Sequence, residues 1–196
     1  YIHQRFPSNS SILIVCGNGN NGNDGRVLAR QLEGDYAISF NYVEGERYDV
    51  IVDALFGSGL NRSLPSDVAV LIDDLNHNEA YKIACDVPSG LFADGSCDLH
   101  TFKADLTITM GALKKSLFSD AAKEVVGEII VADLGVSRCR YETPSSWKLL
   151  EDTDLNLPLR STLSAHKGSF GHLCVVCGEK TGASVIAGSA ALRFGA

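Results

Sequence analysis

No basic cluster occurs anywhere in this sequence. Lys and Arg number 17 against 24 Asp and Glu, for a formal net charge of −7. Nucleic-acid phosphates need Lys and Arg to neutralise them, so an acidic chain without a basic patch argues against nucleic acid as a partner. Long apolar runs are missing too. Residues 12–16 and 129–132 are strand-sized, far below the ~20 residues that span a bilayer, which argues against a membrane role. No charged segment followed by an apolar one opens the chain, so secretion is not indicated. The first residue is not Met; with the tail described below, this leads us to expect a chain truncated or processed at both ends. The cysteines are Cys16, Cys85, Cys97, Cys139, Cys174 and Cys177. Three lie in apolar, strand-like runs, where a reduced thiol behaves as a small buried hydrophobe. Cys174 and Cys177 form a CxxC, but in a strand positions i and i+3 point to opposite faces and cannot share a metal. The cysteines therefore read as structural, in a reducing cytoplasm.

What is present is the composition of a globular protein: 196 residues, 45% hydrophobic and 21% charged, enough for one domain or for one domain and part of another. Strand-like runs at 11–16, 36–43, 48–55, 81–87, 104–110 and 128–134 alternate with helical stretches at 24–32 and 65–76. In the second helix Val68, Leu71, Ile72 and Leu75 recur at spacings of three and four behind Pro65. That alternation predicts an α/β fold, a Rossmann-like three-layer αβα arrangement around a mostly parallel sheet. One connection is too short for it. Between the second and third strands stand only Glu44, Gly45, Glu46 and Arg47, whereas a parallel crossover takes about a dozen residues. Either those strands form a local antiparallel hairpin, or the sequence lacks a segment there. A boundary falls within 137–158, read as a first domain over 1–137 and a linker over 138–158. Beyond it lie only one apolar strand, 173–177, and one small-residue helix, 182–194. A single strand and helix cannot close a core.

Three Gly-rich loops carry the chemistry. The first strand runs into Gly17-Asn18-Gly19-Asn20-Asn21-Gly22-Asn23-Asp24-Gly25. Its GxGxxG opening, ahead of a helix, suits an anion such as pyrophosphate, and its amides and carboxylate suit hydroxyls or a cation. A solvated turn is the plainer alternative. The third strand ends in Asp53, followed by Gly57, Ser58, Gly59, Leu60, Asn61, Arg62 and Ser63; the fourth ends in Asp86, followed by Pro88, Ser89 and Gly90. In a parallel sheet these carboxyl ends share one rim, so Asn21, Asp53, Asp86 and Ser89 are expected to converge. Read singly, Asp53 and Asp86 would be ordinary caps or turn formers.

At these residues the sequence resembles a known family. Residues 20–25, 52–60 and 86–91, with 104–111, Lys114 and 127–135, resemble the signatures of the NAD(P)HX epimerases, the YjeF N-terminal domain, over residues 11–137. Residues 166–173 and 190–196 resemble the opening of the ribokinase-like NAD(P)HX dehydratase, whose ADP- or ATP-binding segments lie later in that family. The resemblance implies a bifunctional NAD(P)H-hydrate repair enzyme of which this chain, over 159–196, carries only the start of the second domain and no dehydration activity. Two departures stand out. Asn23 occupies the second Gly of the family's NNGGDG, and both the family's N-terminal helix and the helix between its second and third strands are missing.

The implied substrate is NADH or NADPH hydrated at C6 of the nicotinamide, and the implied reaction interconverts its R and S forms. Inverting that hemiaminal carbon requires loss of the hydroxyl or opening of the ring, with proton transfer by a positioned acid/base. The resemblance assigns substrate contact to Asn20, Asn21, Gly22, Asn23, Asp24, to Gly57, Ser58, Gly59, Leu60, Asn61, Arg62, Ser63 and to Asp86. It assigns one potassium ion to Asn21, Asp53 and Ser89, an oxygen-only set suited to a hard cation. Asp86 is the candidate acid/base. Lys114 reads either as a phosphate ligand on the same rim or as a solvated surface residue. The partner is thus a small molecule, with a homo-oligomer left open. Two other readings remain: a noncatalytic nucleotide-binding or protein-interaction module, and an NAD(P)-dependent oxidoreductase with Glu44 on the ribose. The latter lacks any evident constellation for hydride transfer.

Overall fold

The computed structural model describes residues 1–142, 145–155, 163–166 and 168–194. The chain divides into two units, Tyr1–Ser145 and Ser146–Ala196, a division that falls inside the 138–158 stretch.

In the first unit the elements run α1 (Ile2–Arg5), β1 (Ser11–Cys16), α2 (Asn20–Leu32), β2 (Ala37–Ser39), β3 (Val50–Ala54), α3 (Ser66–His77), β4 (Tyr81–Cys85), β5 (Leu106–Met110) and β6 (Glu128–Ala132). The strands form one sheet in the order β2-β1-β3-β4-β5-β6, and every pairing is parallel. Every residue of β3 is buried, as continuous apolar runs are when helices cover both faces. Alternating side chains sort the sheet into two cores. Ile12, Ile14, Val50, Val52 and Ile83 pack with Ala29 and Leu32 of α2. Leu13, Val15, Ile51 and Ala84 pack with Ile72 and Leu75 of α3, and with Phe102. A third cluster, Val87, Leu91, Leu117, Ala122, Val125 and Val126, supports the loops after β4 and β5.

The structure departs from the sequence reading in four places. The second strand is only Ala37–Ser39, and it is no hairpin partner of the third: β2 and β3 flank β1, both parallel to it. The crossover manages without a helix because β2 ends level with Leu13 while β3 begins level with Ile12. Residues 40–49 therefore retreat by about one residue's rise while stepping across β1. Next, α2 begins at Asn20 rather than at Asp24, so the Asn-rich segment is helical rather than a loop. A four-residue helix that the pattern did not indicate, α1, opens the unit and inserts Ile2 into the core with Ala29 and Leu32 of α2. Finally, residues 173–177 form no strand.

That last difference has a simple cause. A strand is completed by a neighbour's hydrogen bonds, and the described residues of the second unit contain no other strand. Its one α-helix among the described residues is α4 (Gly182–Phe194), where Val185, Ile186 and Leu192 are exposed, as are Leu173, Val176, Cys174 and Cys177 nearby in sequence. The CxxC is thus a pair of free, exposed thiols. Pro158, Arg160, Lys167, Gly195 and Ala196, on which the boundary and parts of the tail motifs fall, lie outside the described residues.

Candidate active site

From β1 the chain turns to β2 on one side, and β3 then starts the other half of the sheet. This is the switch point where open α/β sheets leave a crevice outside their carboxyl ends. A cleft of about 660 Å³ opens there. Its walls are Gly19, Asn20, Asn21 and Asp24 at the start of α2, residues 56–62 after β3, Asp86 after β4, and Met110 and Lys114 after β5. Gly22, Asn23 and Ser63 do not line it. Gly22 faces inward: a Cβ there would lie 1.8 Å from the Gly17 carbonyl oxygen, so only Gly lets α2 start this close to the end of β1. Asn23 is exposed, and its Oδ1 accepts a hydrogen bond from Arg26 at 3.2 Å. The side chain in place of the family's Gly therefore points away from the cleft wall.

Asn21, Asp53 and Ser89 meet through the backbone of Phe56. Asp53 is fully buried. Its Oδ2 accepts the Ser89 N–H at 2.7 Å, and its Oδ1 accepts the Ser89 hydroxyl at 2.7 Å and the Leu55 N–H at 3.1 Å. The Ser89 Oγ in turn accepts the Phe56 N–H at 3.0 Å, and Asn21 Nδ2 donates to the Phe56 carbonyl at 2.9 Å. Only neutral donors satisfy this carboxylate. Burial pushes its pKa up to about 6, against the lowering effect of the Ser89 and Leu55 hydrogen bonds. No ammonium or guanidinium pairs with it among the described residues. A buried carboxylate, a hydroxyl, an amide oxygen and a backbone carbonyl are the donor set a hard, weakly charged cation takes, and the missing countercharge is what such an ion would supply. No group of three or more His, Cys, Asp or Glu able to hold a metal occurs among the described residues.

Asp86 occupies an unusual backbone position. Its φ is 70°, and the Val87 N–H donates to the Cys85 carbonyl at 2.9 Å across it, closing a three-residue γ-turn. Asp tolerates this left-handed region better than most side chains. The turn lifts the carboxylate into the cleft. There Oδ2 accepts the Ser58 N–H at 3.1 Å, while Oδ1 accepts the Met110 N–H at 3.2 Å and the Lys114 ammonium at 2.5 Å. Burial by itself raises the Asp86 pKa, but the Lys114 charge and these hydrogen bonds outweigh it and hold the carboxyl below the usual range. Lys114 also donates to the Met110 carbonyl at 2.7 Å. It is not a solvated surface lysine: it is the ion-pair partner of Asp86 in the cleft wall. Sequence reasoning missed that pairing, together with Phe56 and Met110. The spacing from Met110 to Lys114 behind a strand was the available signal, and it bears no partner until β4 and β5 are known to be neighbours.

The family profile described as YjeF-related protein N-terminus matches residues 1–47 and 35–116, two segments that overlap at the short β2–β3 connection. Among curated proteins, the chain is 37% identical to the bifunctional NAD(P)H-hydrate repair enzyme Nnr of Helicobacter pylori, over 98% of this chain and 47% of that protein. It is 36% identical to the Nnr of Coxiella burnetii over 98% of this chain and 47% of that protein. It is 31% identical to the Nnr of Escherichia coli over 97% and 44% respectively. The chain thus spans about half the length of the curated relatives it matches. With the family's segments running from α1 through β5 and building every wall of the cleft, this chain belongs to the YjeF-related N-terminal family.

Proposed function

We propose that this chain is an NAD(P)H-hydrate epimerase, interconverting the R and S forms of NADH or NADPH hydrated at C6 of the nicotinamide ring. The observation that carries the reading is the buried meeting of Asn21, Asp53 and Ser89 at the base of a cleft whose wall holds the Asp86 carboxylate. The names of its relatives as NAD(P)H-hydrate repair enzymes agree with it.

In this reading the first turn of α2 receives the pyrophosphate, because free N–H groups and the helix dipole favour an anion there. Asn20, Asp24 and residues 57–62 hold the sugars and the ring edge. Asp86, charged and anchored by backbone N–H groups, is the acid/base toward the C6 hydroxyl. Potassium held by Asn21, Asp53 and Ser89, with the Phe56 carbonyl, supplies countercharge to Asp53 and so fixes the loops after β3 and β4 that shape the cleft. ADP- or ATP-dependent dehydration, as the second activity of a bifunctional repair enzyme, belongs in this proposal to sequence outside these residues.

The test is direct. Hydrated NADH is resolved into its epimers by chromatography, and one epimer is incubated with the chain in potassium buffer. Interconversion well above the spontaneous rate supports the assignment, while the spontaneous rate alone overturns it. A nicotinamide absorbance change with an oxidisable substrate would instead support an oxidoreductase, and nucleotide binding without either activity would support a noncatalytic module.

A further inference from the structure

Resting on the epimerase reading, we infer that Lys114 is the proton donor of the reaction and works as a couple with Asp86. The two side chains touch at 2.5 Å, both line the cleft and both are largely shielded, with side-chain exposures of 23% and 14%. One is a carboxylate with no proton to give, the other an ammonium with no lone pair to accept one. Opening the hydrated ring needs one group of each kind. Asp86 takes the proton of the C6 hydroxyl as the C6–N1 bond breaks. C6 becomes an aldehyde carbon, N1 keeps the electron pair of the broken bond, and Lys114 delivers a proton to N1. Atoms and charge balance without any further reactant. The couple is left as carboxylic acid and free amine, and the proton crosses their contact to restore the ion pair. Rotation of the aldehyde followed by closure through the same transfers in reverse yields the other epimer.

The arrangement around Lys114 supports this role over a purely structural one. Asp86 also receives two backbone N–H groups, from Ser58 and Met110, so the ammonium is not the sole group that holds it. Lys114 meanwhile leans on the Met110 carbonyl, which holds the amine at the cleft edge in either protonation state.

The experiment compares K114R and K114A with the unaltered chain, using one resolved epimer of hydrated NADH. Arg keeps the charge and its hydrogen bonds to Asp86 but does not give up a proton near neutral pH. A proton donor therefore predicts that K114R slows interconversion about 100-fold or more, and that added methylamine restores much of the K114A rate. Circular dichroism and the melting temperature establish that both variants fold. A folded K114R with nearly full activity, or a slow K114A that methylamine does not rescue, overturns the inference while leaving the epimerase assignment standing. If K114R fails to fold, the methylamine response of K114A decides alone. An unaltered chain that does not epimerise at all overturns both.

Discussion

Ser89 holds Asp53 twice, its N–H on Oδ2 and its hydroxyl on Oδ1, each at 2.7 Å. Asp53 lies in β3 and Ser89 in the loop after β4, the neighbouring parallel strand, so this double contact ties that loop to the strand from which the cleft-lining residues 56–62 run on. It also favours the charged form of a fully buried carboxylate against the cost of burial. Removing the hydroxyl would strand the Phe56 N–H as well, since Ser89 Oγ is its acceptor. Ser89→Ala is therefore expected to lower unfolding stability by about 2 kcal/mol, the usual cost of leaving buried polar groups unpaired. Urea unfolding of both proteins measures it, and a change below about 0.5 kcal/mol, the size of an ordinary surface substitution, would show that the contact contributes little.

Asp53 makes stability depend on pH and on small cations. Its pKa is raised from 3.8 to about 6, so the folded chain binds more protons than the unfolded one between those values. Stability from this group is then fully present below pH 3.8 and declines as pH rises to about 6. An ion in the oxygen set would reverse that loss by pairing with the charged form. Melting temperature at pH 8 should be higher in potassium than in equimolar tetramethylammonium, with the difference shrinking below pH 6. Equal melting curves in the two salts at pH 8 would count against cation binding.

Asp86→Asn should leave the fold intact, because Asn also accepts a φ near 70°. Its effect belongs to the chemistry: interconversion of hydrated NADH slowed about 100-fold or more, as loss of a general acid/base usually does. Asp53 is the rival carboxylate. Should Asp86→Asn keep its rate while a folded Asp53→Asn loses it, the two roles are reversed.

The glycines of the first motif are not equivalent. A Cβ on Gly22 would collide with the Gly17 carbonyl, while one on Gly19 would meet nothing within 4 Å. Gly22→Ala should therefore cost about 3 kcal/mol or more, as forced overpacking does, and Gly19→Ala under about 1 kcal/mol. Comparable denaturant midpoints for the two variants would refute this account of why α2 begins where it does.

All three core clusters lie within the first unit. A chain ending at Ser145 is accordingly expected to melt within a few degrees of the longer one, as followed by circular dichroism. A collapse of the transition would mean that residues beyond 145 contribute to that core.

Local pattern alone determined much of this protein. Apolar runs spaced by helical stretches dictated the parallel sheet and its two covering layers, because burial on both faces demands continuous apolar strands. Three Gly-rich segments, each after a strand, placed Asn21, Asp53, Asp86 and Ser89 on one rim, since parallel strands all end at the same edge. Tertiary structure decided the rest. The short β2–β3 crossover works because the register of both strands on β1 leaves almost no distance to climb, and register is not visible in a single sequence. The run at 173–177 stays unpaired because strand formation depends on a neighbour rather than on composition. Lys114 became the partner of Asp86 only when β4 and β5 paired. A contact across 28 positions is set by which strands are adjacent, and no local signal carries that.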